Sequence, residues 1–262
     1  TRTTNRACAT RTSERRRRPI IQRPMWLYGR NPLREALKSG QPVERVLVAE
    51  GSRLPPDLLR LIRQAGVPME TVPRPRIEHL AGHKAHQGVV FRLAVRKPEE
   101  PETVLQRILQ RGGFGVYLDR VQDPQNVGNI LRSAYAFGAQ GVLYPSRGSA
   151  PLSPVVLKAS AGALLHLPVA RTGHPIPVLQ RFQQQGGWVY AVETGGTPLG
   201  ALRFRFPALF VFGGEGSGIR KAVLRLADAV VTVEMEGEIA SLNVAATAAV
   251  VLYRAMMDRR KA

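Results

Sequence analysis

Phe210-Val211-Phe212-Gly213-Gly214-Glu215-Gly216-Ser217-Gly218 is a short apolar run that breaks directly into four glycines within six positions. An aromatic and β-branched run this short, bounded by glycine, reads as a buried strand. The glycines let the next stretch of backbone approach a ligand closely. Residues 219–226 (IRKAVLRL) then carry helical spacing, so the unit is strand, glycine turn, helix. The same order recurs on both sides of it. Strands are predicted at 114–118, 141–144, 187–192, 208–212 and 229–233, and helices at 127–137, 177–185, 219–226 and 244–257. That alternation specifies an α/β fold: a mostly parallel sheet with helices on both faces. Ligands of such sheets bind beyond the carboxyl ends of the strands, which is where the glycine turn falls.

The turn does not match the familiar phosphate loops. A dinucleotide fingerprint needs glycine at offsets 0, 2 and 5, and counting from Gly214 or Gly216 the last place is Ile219 or Lys221. A Walker loop needs Gly-Lys-Ser/Thr, but Ile219 follows Gly218. A nicotinamide oxidoreductase is therefore excluded by spacing. Glu215 would also repel phosphate, so the ligand at this point is neutral or cationic.

Two further segments follow predicted strands. Residues 118–133 (LDRVQDPQNVGNILRS) place Val127, Ile130, Leu131, Ala134 and Phe137 on one helix face and Asn129, Arg132, Ser133 and Ala136 on the other, with Asn126 as the predicted cap. Residues 233–246 (VEMEGEIASLNVAA) enter an irregular loop in which Ser241 or Asn243 caps a long Ala-rich helix. Each segment alone also reads as an ordinary capped core helix.

The upstream half is a smaller α/β unit. It comprises strands at 45–49, 67–72 and 88–95 and helices at 55–66 and 74–82, preceded by a short helix with Asn31 as cap and Pro32 at its first position. The charged break at 96–101 (RKPEEP) places a linker at 96–110, with a helix expected at 103–111, and leaves 25–95 and 111–262 as the two folded units. Residues 1–24 hold eight arginines and one acid and read as a basic disordered extension, with an organelle transit peptide as the other reading. They account for +7 of the chain's +19, so the rest still carries +12. A surplus of that size favours a polyanionic partner. Cys8, in the same extension, is the only cysteine, so neither an intramolecular disulfide nor a cysteine zinc site is available. No metal and no membrane partner are expected, since no apolar run reaches the length of a span. Nothing points to secretion, and a cytoplasmic location is expected.

Taken together, 118–133, 210–218 and 233–246 resemble, in order and spacing, the three motifs of the SpoU (TrmH) branch of the SPOUT methyltransferase superfamily. The likeness covers 111–262. It extends to the first unit, whose Tyr28-Gly29 opening and His86-Gln87-Gly88 exit are similar to the L30e-like substrate-binding domain of the family's 23S rRNA guanosine 2′-O-methyltransferases. The resemblance implies a C-terminal trefoil knot, a homodimer with the site near its interface, and S-adenosylmethionine as methyl donor. It implies that the donor is gripped around Thr194, Gly195, Gly213, Gly216, Val233, Met235 and Leu242. It also implies that Arg132 is the catalytic residue, assisted by Asn126, Glu215, Ser241 and Asn243. Glu215 would orient Arg132 or Asn126. Gly214 stands where the family often has Asn, Ser or Ala, and Glu234 where Pro is usual.

The expected substrate is RNA, a guanosine of large-subunit rRNA. The 25–95 unit would select it through Arg30, Arg34, Lys38, Arg45, Arg74, Arg76, Lys84 and Arg92. The alternatives are a tRNA ribose methyltransferase with the same catalytic half and a catalytically silent ribosome-assembly factor. Family tRNA enzymes generally lack this first unit. The intact polar set at 126, 132, 215, 241 and 243 argues against silence.

Overall fold

A computed structural model describes residues 25–82, 84–93, 98–237 and 241–261. The extension 1–24, the end of the expected strand 88–95 and residues 96–97 of the expected linker lie outside the described residues.

The chain runs β1 (Met25–Tyr28), α1 (Arg30–Lys38), β2 (Val43–Ala49), α2 (Pro56–Gln64), β3 (Met69–Val72), α3 (Arg74–Ala81) and β4 (Val89–Leu93), then α4 (Pro101–Gln110), β5 (Phe114–Asp119), α5 (Pro124–Ala136), β6 (Val142–Pro145), α6 (Pro154–Ala159) and β7 (Val169–Thr172). It continues through α7 (Pro175–Gln184), β8 (Trp188–Pro198), β9 (Ala208–Gly213), α8 (Lys221–Leu226), β10 (Ala229–Thr232) and α9 (Val244–Arg259). The first seven elements build a four-stranded sheet in the order β1-β4-β2-β3, in which only β2 and β3 are parallel. Leu33 and Ala36 of α1 and Leu58 and Ile62 of α2 are buried in one hydrophobic cluster, and Ile77 of α3 in another with Leu47, Val72 and Val90.

The second sheet has six strands in the order β10-β8-β9-β5-β6-β7, all parallel. Side chains alternate strictly across it. Phe114, Val116 and Leu118 of β5 and Phe210 and Phe212 of β9 join the core that also holds residues of α5 and α9. Tyr117, Leu209 and Val211 face the layer of α4, α7 and α8. Both faces are thus covered, which is why these strands read as continuous apolar runs.

Several elements differ from the sequence expectation. Helix α4, inside the expected linker, buries Val104, Leu105 and Ile108 with the sheet residues Tyr117, Leu143 and Leu209, so it is a layer of the large sheet and not a tether. α6 and β7 have no counterpart among the predicted elements, because 154–159 and 169–172 are too short for either period to register. Asn31 is not a cap: α1 starts two residues earlier than expected, at Arg30, Gly29 is its N-cap at φ 100, and the Gln87 side chain accepts from Arg30 N at 2.9 Å. Asn126 is not a cap either. Asp123 holds that position on α5, its carboxylate accepting from Gln125 N at 3.0 Å.

Candidate functional site

The carboxyl ends of β8, β9 and β10 open onto a cleft of about 760 Å³, a size suited to a nucleoside-containing small molecule. Three stretches build its walls, and each does so for a local reason.

The first is the end of β8. Its register against β10 jumps: Val230 pairs with Ala191, but Val231 pairs with Thr197. Residues 192–196 are therefore looped out of the ladder, and this bulge carries Glu193 and Thr194 to the cleft wall. The Glu193 carboxylate accepts from Ile219 N at 3.0 Å and from Thr194 N at 3.2 Å, tying the bulge to the glycine turn. Gly195 turns the backbone beside Thr194 at φ 78 and does not itself line the cleft.

The second is the glycine turn. A Cβ at Gly213 would overlap the backbone of Gly218 and Ile219, and one at Gly214 would overlap the carbonyl of Arg120. Both glycines are needed because backbone passes against backbone there, and that contact accounts for Gly214 in place of a larger residue. The far end of the turn is clamped. Asp119, fully buried at the tip of β5, accepts from Arg220 N at 2.9 Å and from Arg220 Nε at 2.7 Å, and a further, shorter contact joins it to Arg220 Nη2. Asp119, Glu193 and Arg220 are not among the site residues expected from sequence. Asp119 and Glu193 each had a signal in position, an acid closing an otherwise apolar strand; Arg220 had none.

The third is the segment before α9. Val233, Met235, Ser241, Leu242 and Asn243 line the cleft with Thr194, Gly213, Glu215 and Gly216. Glu234 turns elsewhere, its carboxylate accepting from Gly200 N at 3.3 Å.

Asn126, Glu215 and Asn243 meet at the rim. Asn126 Nδ2 donates to Glu215 Oε1 at 2.9 Å, Asn243 Nδ2 donates to the same oxygen at 2.7 Å, and Asn243 Nδ2 also approaches Asn126 Oδ1 at 2.9 Å. Asn243 Oδ1 meanwhile accepts from Ala245 N at 2.9 Å and Ala246 N at 3.4 Å, capping α9. One residue from each of the three sequence segments thus closes a single hydrogen-bonded triangle. Glu215 orients the two amides; it makes no hydrogen bond to Arg132. Arg132 is exposed on α5, outside the cleft lining and without an ion pair among the described residues. Ser241 lines the wall without a hydrogen bond among the described residues.

The donor set suits S-adenosylmethionine. The walls are largely glycine backbone and apolar side chains, and the charged groups among the described lining residues are two carboxylates, Glu193 and Glu215, and one cation, Lys221. A cationic sulfonium is favoured by that balance, and a phosphate is not.

The chain is similar along most of its length to known methyltransferases. The SpoU rRNA Methylase family matches residues 113–253, and the family described as RNA 2′-O ribose methyltransferase substrate binding matches residues 26–99. A tRNA/rRNA methyltransferase of Mycobacterium ulcerans is 34% identical over 264 residues, covering 98% of this chain and 85% of the relative. A TrmH family tRNA/rRNA methyltransferase of Staphylococcus haemolyticus is 30% identical over 240 residues, covering 90% and 96%. Among solved structures, the SpoU methyltransferase AviRb from Streptomyces viridochromogenes, in complex with the cofactor AdoMet, superposes with a TM-score of 0.72 at 28% identity, covering 90% of this chain and 91% of that one. The chain belongs to the SpoU rRNA methylase family and is an RNA methyltransferase that uses S-adenosylmethionine.

Proposed function

We propose that the enzyme methylates a ribose 2′-hydroxyl of RNA, that of a guanosine in 23S rRNA, acting in rRNA processing in the cytoplasm as a knotted homodimer. The observation that carries this reading is the triangle of Asn126, Glu215 and Asn243 at the cleft rim. It fixes two side-chain amides where a polar, uncharged acceptor group such as a ribose would meet the donor.

When bound, S-adenosylmethionine supplies an electrophilic methyl group on a sulfonium. The protein must hold the acceptor in line with it and deal with the proton of a weakly acidic hydroxyl. Arg132 is assigned to the second task. Its guanidinium stays protonated near neutral pH, so it stabilises the developing 2′-oxyanion and positions an adjacent phosphate, to whose oxygen or a water the proton passes. Asn126, Asn243 and the Ser241 hydroxyl on the cleft wall steer the ribose, Asn243 also holds the turn before α9, and Glu215 keeps both amides in one orientation. Thr194, Gly195, Gly213, Gly216, Val233, Met235 and Leu242 form or shape the donor's wall. Within the chain, 25–95 selects the RNA and 111–262 performs the transfer.

The dimer is supported by large apolar side chains left exposed on two neighbouring helices. Tyr135 of α5 and Val250 and Tyr253 of α9 are between 43% and 50% exposed, and α5 packs directly on α9. Arg132 lies one helical turn before Tyr135, so pairing through this face sets it at the boundary between the two copies.

The test is methyl transfer from labelled S-adenosylmethionine to unmodified 23S rRNA, 16S rRNA and bulk tRNA in parallel, with the product mapped by 2′-O-methyl-sensitive primer extension. A single methylated ribose in 23S rRNA is expected. Labelling confined to tRNA overturns the rRNA assignment, and transfer to a base nitrogen or carbon overturns the ribose assignment.

A further inference from the structure

Three arginines at the carboxyl edge of β5, β6 and β7 have no part in the mechanism above. Arg120 follows β5, Arg147 lies in the turn after β6, and Arg171 belongs to β7. All three converge on residues 146–149. The Arg120 stem runs along Gly148, where an added Cβ would stand 3.3 Å from Arg120 Cγ, and Arg171 Nη2 donates to the Ser146 carbonyl at 3.3 Å. None of the three has an acidic partner among the described residues. Two polar atoms here, Arg120 Nε and Ser149 Oγ, are buried without a hydrogen-bond partner.

The backbone adds a second, independent sign. Arg120 sits at φ 62, a left-handed conformation that glycine takes freely and an arginine takes only with strain. A strained backbone beneath an unsatisfied guanidinium nitrogen is the pattern of a residue held for a ligand. The edge behind it is stiff: the Tyr117 hydroxyl and Thr172 Oγ1 lie 2.8 Å apart, and Thr172 Oγ1 donates to the Tyr144 carbonyl at 3.2 Å, joining β5, β7 and β6. Arg120 is also beside the reaction centre, since its carbonyl packs against Gly214, the neighbour of Glu215.

The first unit is different. There Arg34 pairs with Asp57, Arg45 and Arg76 with Glu70, and Arg92 with Glu44, so half of the basic residues expected to contact phosphate are already matched by acids. The unmatched guanidinium groups of the catalytic edge are the better phosphate ligands.

We propose that Arg120, Arg147 and Arg171 form a docking track for the RNA backbone, with Arg120 holding a phosphate that flanks the target ribose. The proposal rests on RNA ribose being the acceptor. Its test compares Arg120→Gly, Arg147→Ala and the double variant with the wild type, using filter binding of an unmodified 23S rRNA transcript across a salt series, calorimetric binding of S-adenosylmethionine, and thermal melting. Arg120→Gly is expected to melt at the same temperature or higher, because glycine relieves the strained backbone. It should bind S-adenosylmethionine as the wild type does, yet bind RNA severalfold more weakly, with a log–log salt slope shallower by about one unit. The double variant should lose more on both counts. Unchanged RNA affinity and slope in the double variant overturn the track. So does a fall in melting temperature and donor affinity in Arg120→Gly, which makes the arginine structural. Failure of the wild type to methylate any RNA overturns the acceptor reading, while the binding series still decides whether this edge holds RNA.

Discussion

The carboxyl edge of the six-stranded sheet is divided at the boundary between β5 and β9. On the β8-β9-β10 side, backbone and carboxylates make the surface: the 192–196 bulge, the glycine turn, Glu193 and Glu215. On the β5-β6-β7 side, unmatched arginines make it. One scaffold edge therefore offers a pocket for a cation beside a track for a polyanion, and the triangle of Asn126, Glu215 and Asn243 stands on the seam. Two substrates of opposite charge can then meet without either being drawn to the other's place.

The hardest blow to that arrangement is Arg132→Ala. Removing a donor that acts on the developing oxyanion costs about 10²–10³ in turnover in comparable sites. Methyl transfer should fall at least that far while S-adenosylmethionine binding, measured calorimetrically, stays at the wild-type value, because Arg132 is outside the cleft lining. Retained turnover removes the residue from the reaction.

Next in size is Asp119→Ala. It leaves the Arg220 guanidinium at the seam without its carboxylate and frees the end of the glycine turn. Breaking a largely buried pair from one side costs about 3 kcal/mol. Chemical denaturation should register that loss, and donor affinity should drop with it, since the clamp shapes the cleft wall. A variant with wild-type stability would show that the two halves of the edge are held together by something else.

Most of the fold was legible before any coordinates, and the limits were physical. The strand and helix pattern of 114–257 came from apolar runs buried on both faces, which glycine and proline punctuate sharply. α6 and β7 escaped because neither spans enough residues to show a period. The site was legible as three segments and not as a geometry. Asn126 could be read as a cap because it precedes a helix and has the right side chain, but only three-dimensional proximity reveals that its partners are 89 and 117 positions away. Glu193 shows in the sequence only as an acid after an apolar run, because the bulge that presents it is a mismatch of register between β8 and β10, a property of the pair and not of either strand.

Asn243→Ala tests the seam with a smaller effect. It deletes the cap of α9 and the amide that joins Glu215 to Asn126. Loss of such a cap costs about 1 kcal/mol. Asn243→Asp keeps the capping oxygen and so should recover most of that stability, but its carboxylate faces Glu215 and cannot donate to it. Activity should therefore stay low in both variants. Recovery of activity with the cap alone would reduce the triangle to a structural device.

The finest distinction concerns the charge of the donor half. Glu193 uses its carboxylate oxygens to accept from the amides of Ile219 and Thr194, a job that a glutamine oxygen can still do in part. Glu193→Gln thus removes charge with little change of shape. S-adenosylmethionine carries a positive sulfonium that S-adenosylhomocysteine, its demethylated product, lacks. A negative wall should hold the first more strongly than the second and so help the product leave. With Lys221 the only cation among the described lining residues, the loss of one of two carboxylates should weaken S-adenosylmethionine binding by about 1 kcal/mol or less, the range of a partly solvated charge pair. Binding of S-adenosylhomocysteine should be nearly unchanged. Paired calorimetric titrations of the two molecules read this difference directly. Equal losses for both would mean that Glu193 matters for the shape of the bulge alone, and the division of the edge by charge would then rest on its arginine side.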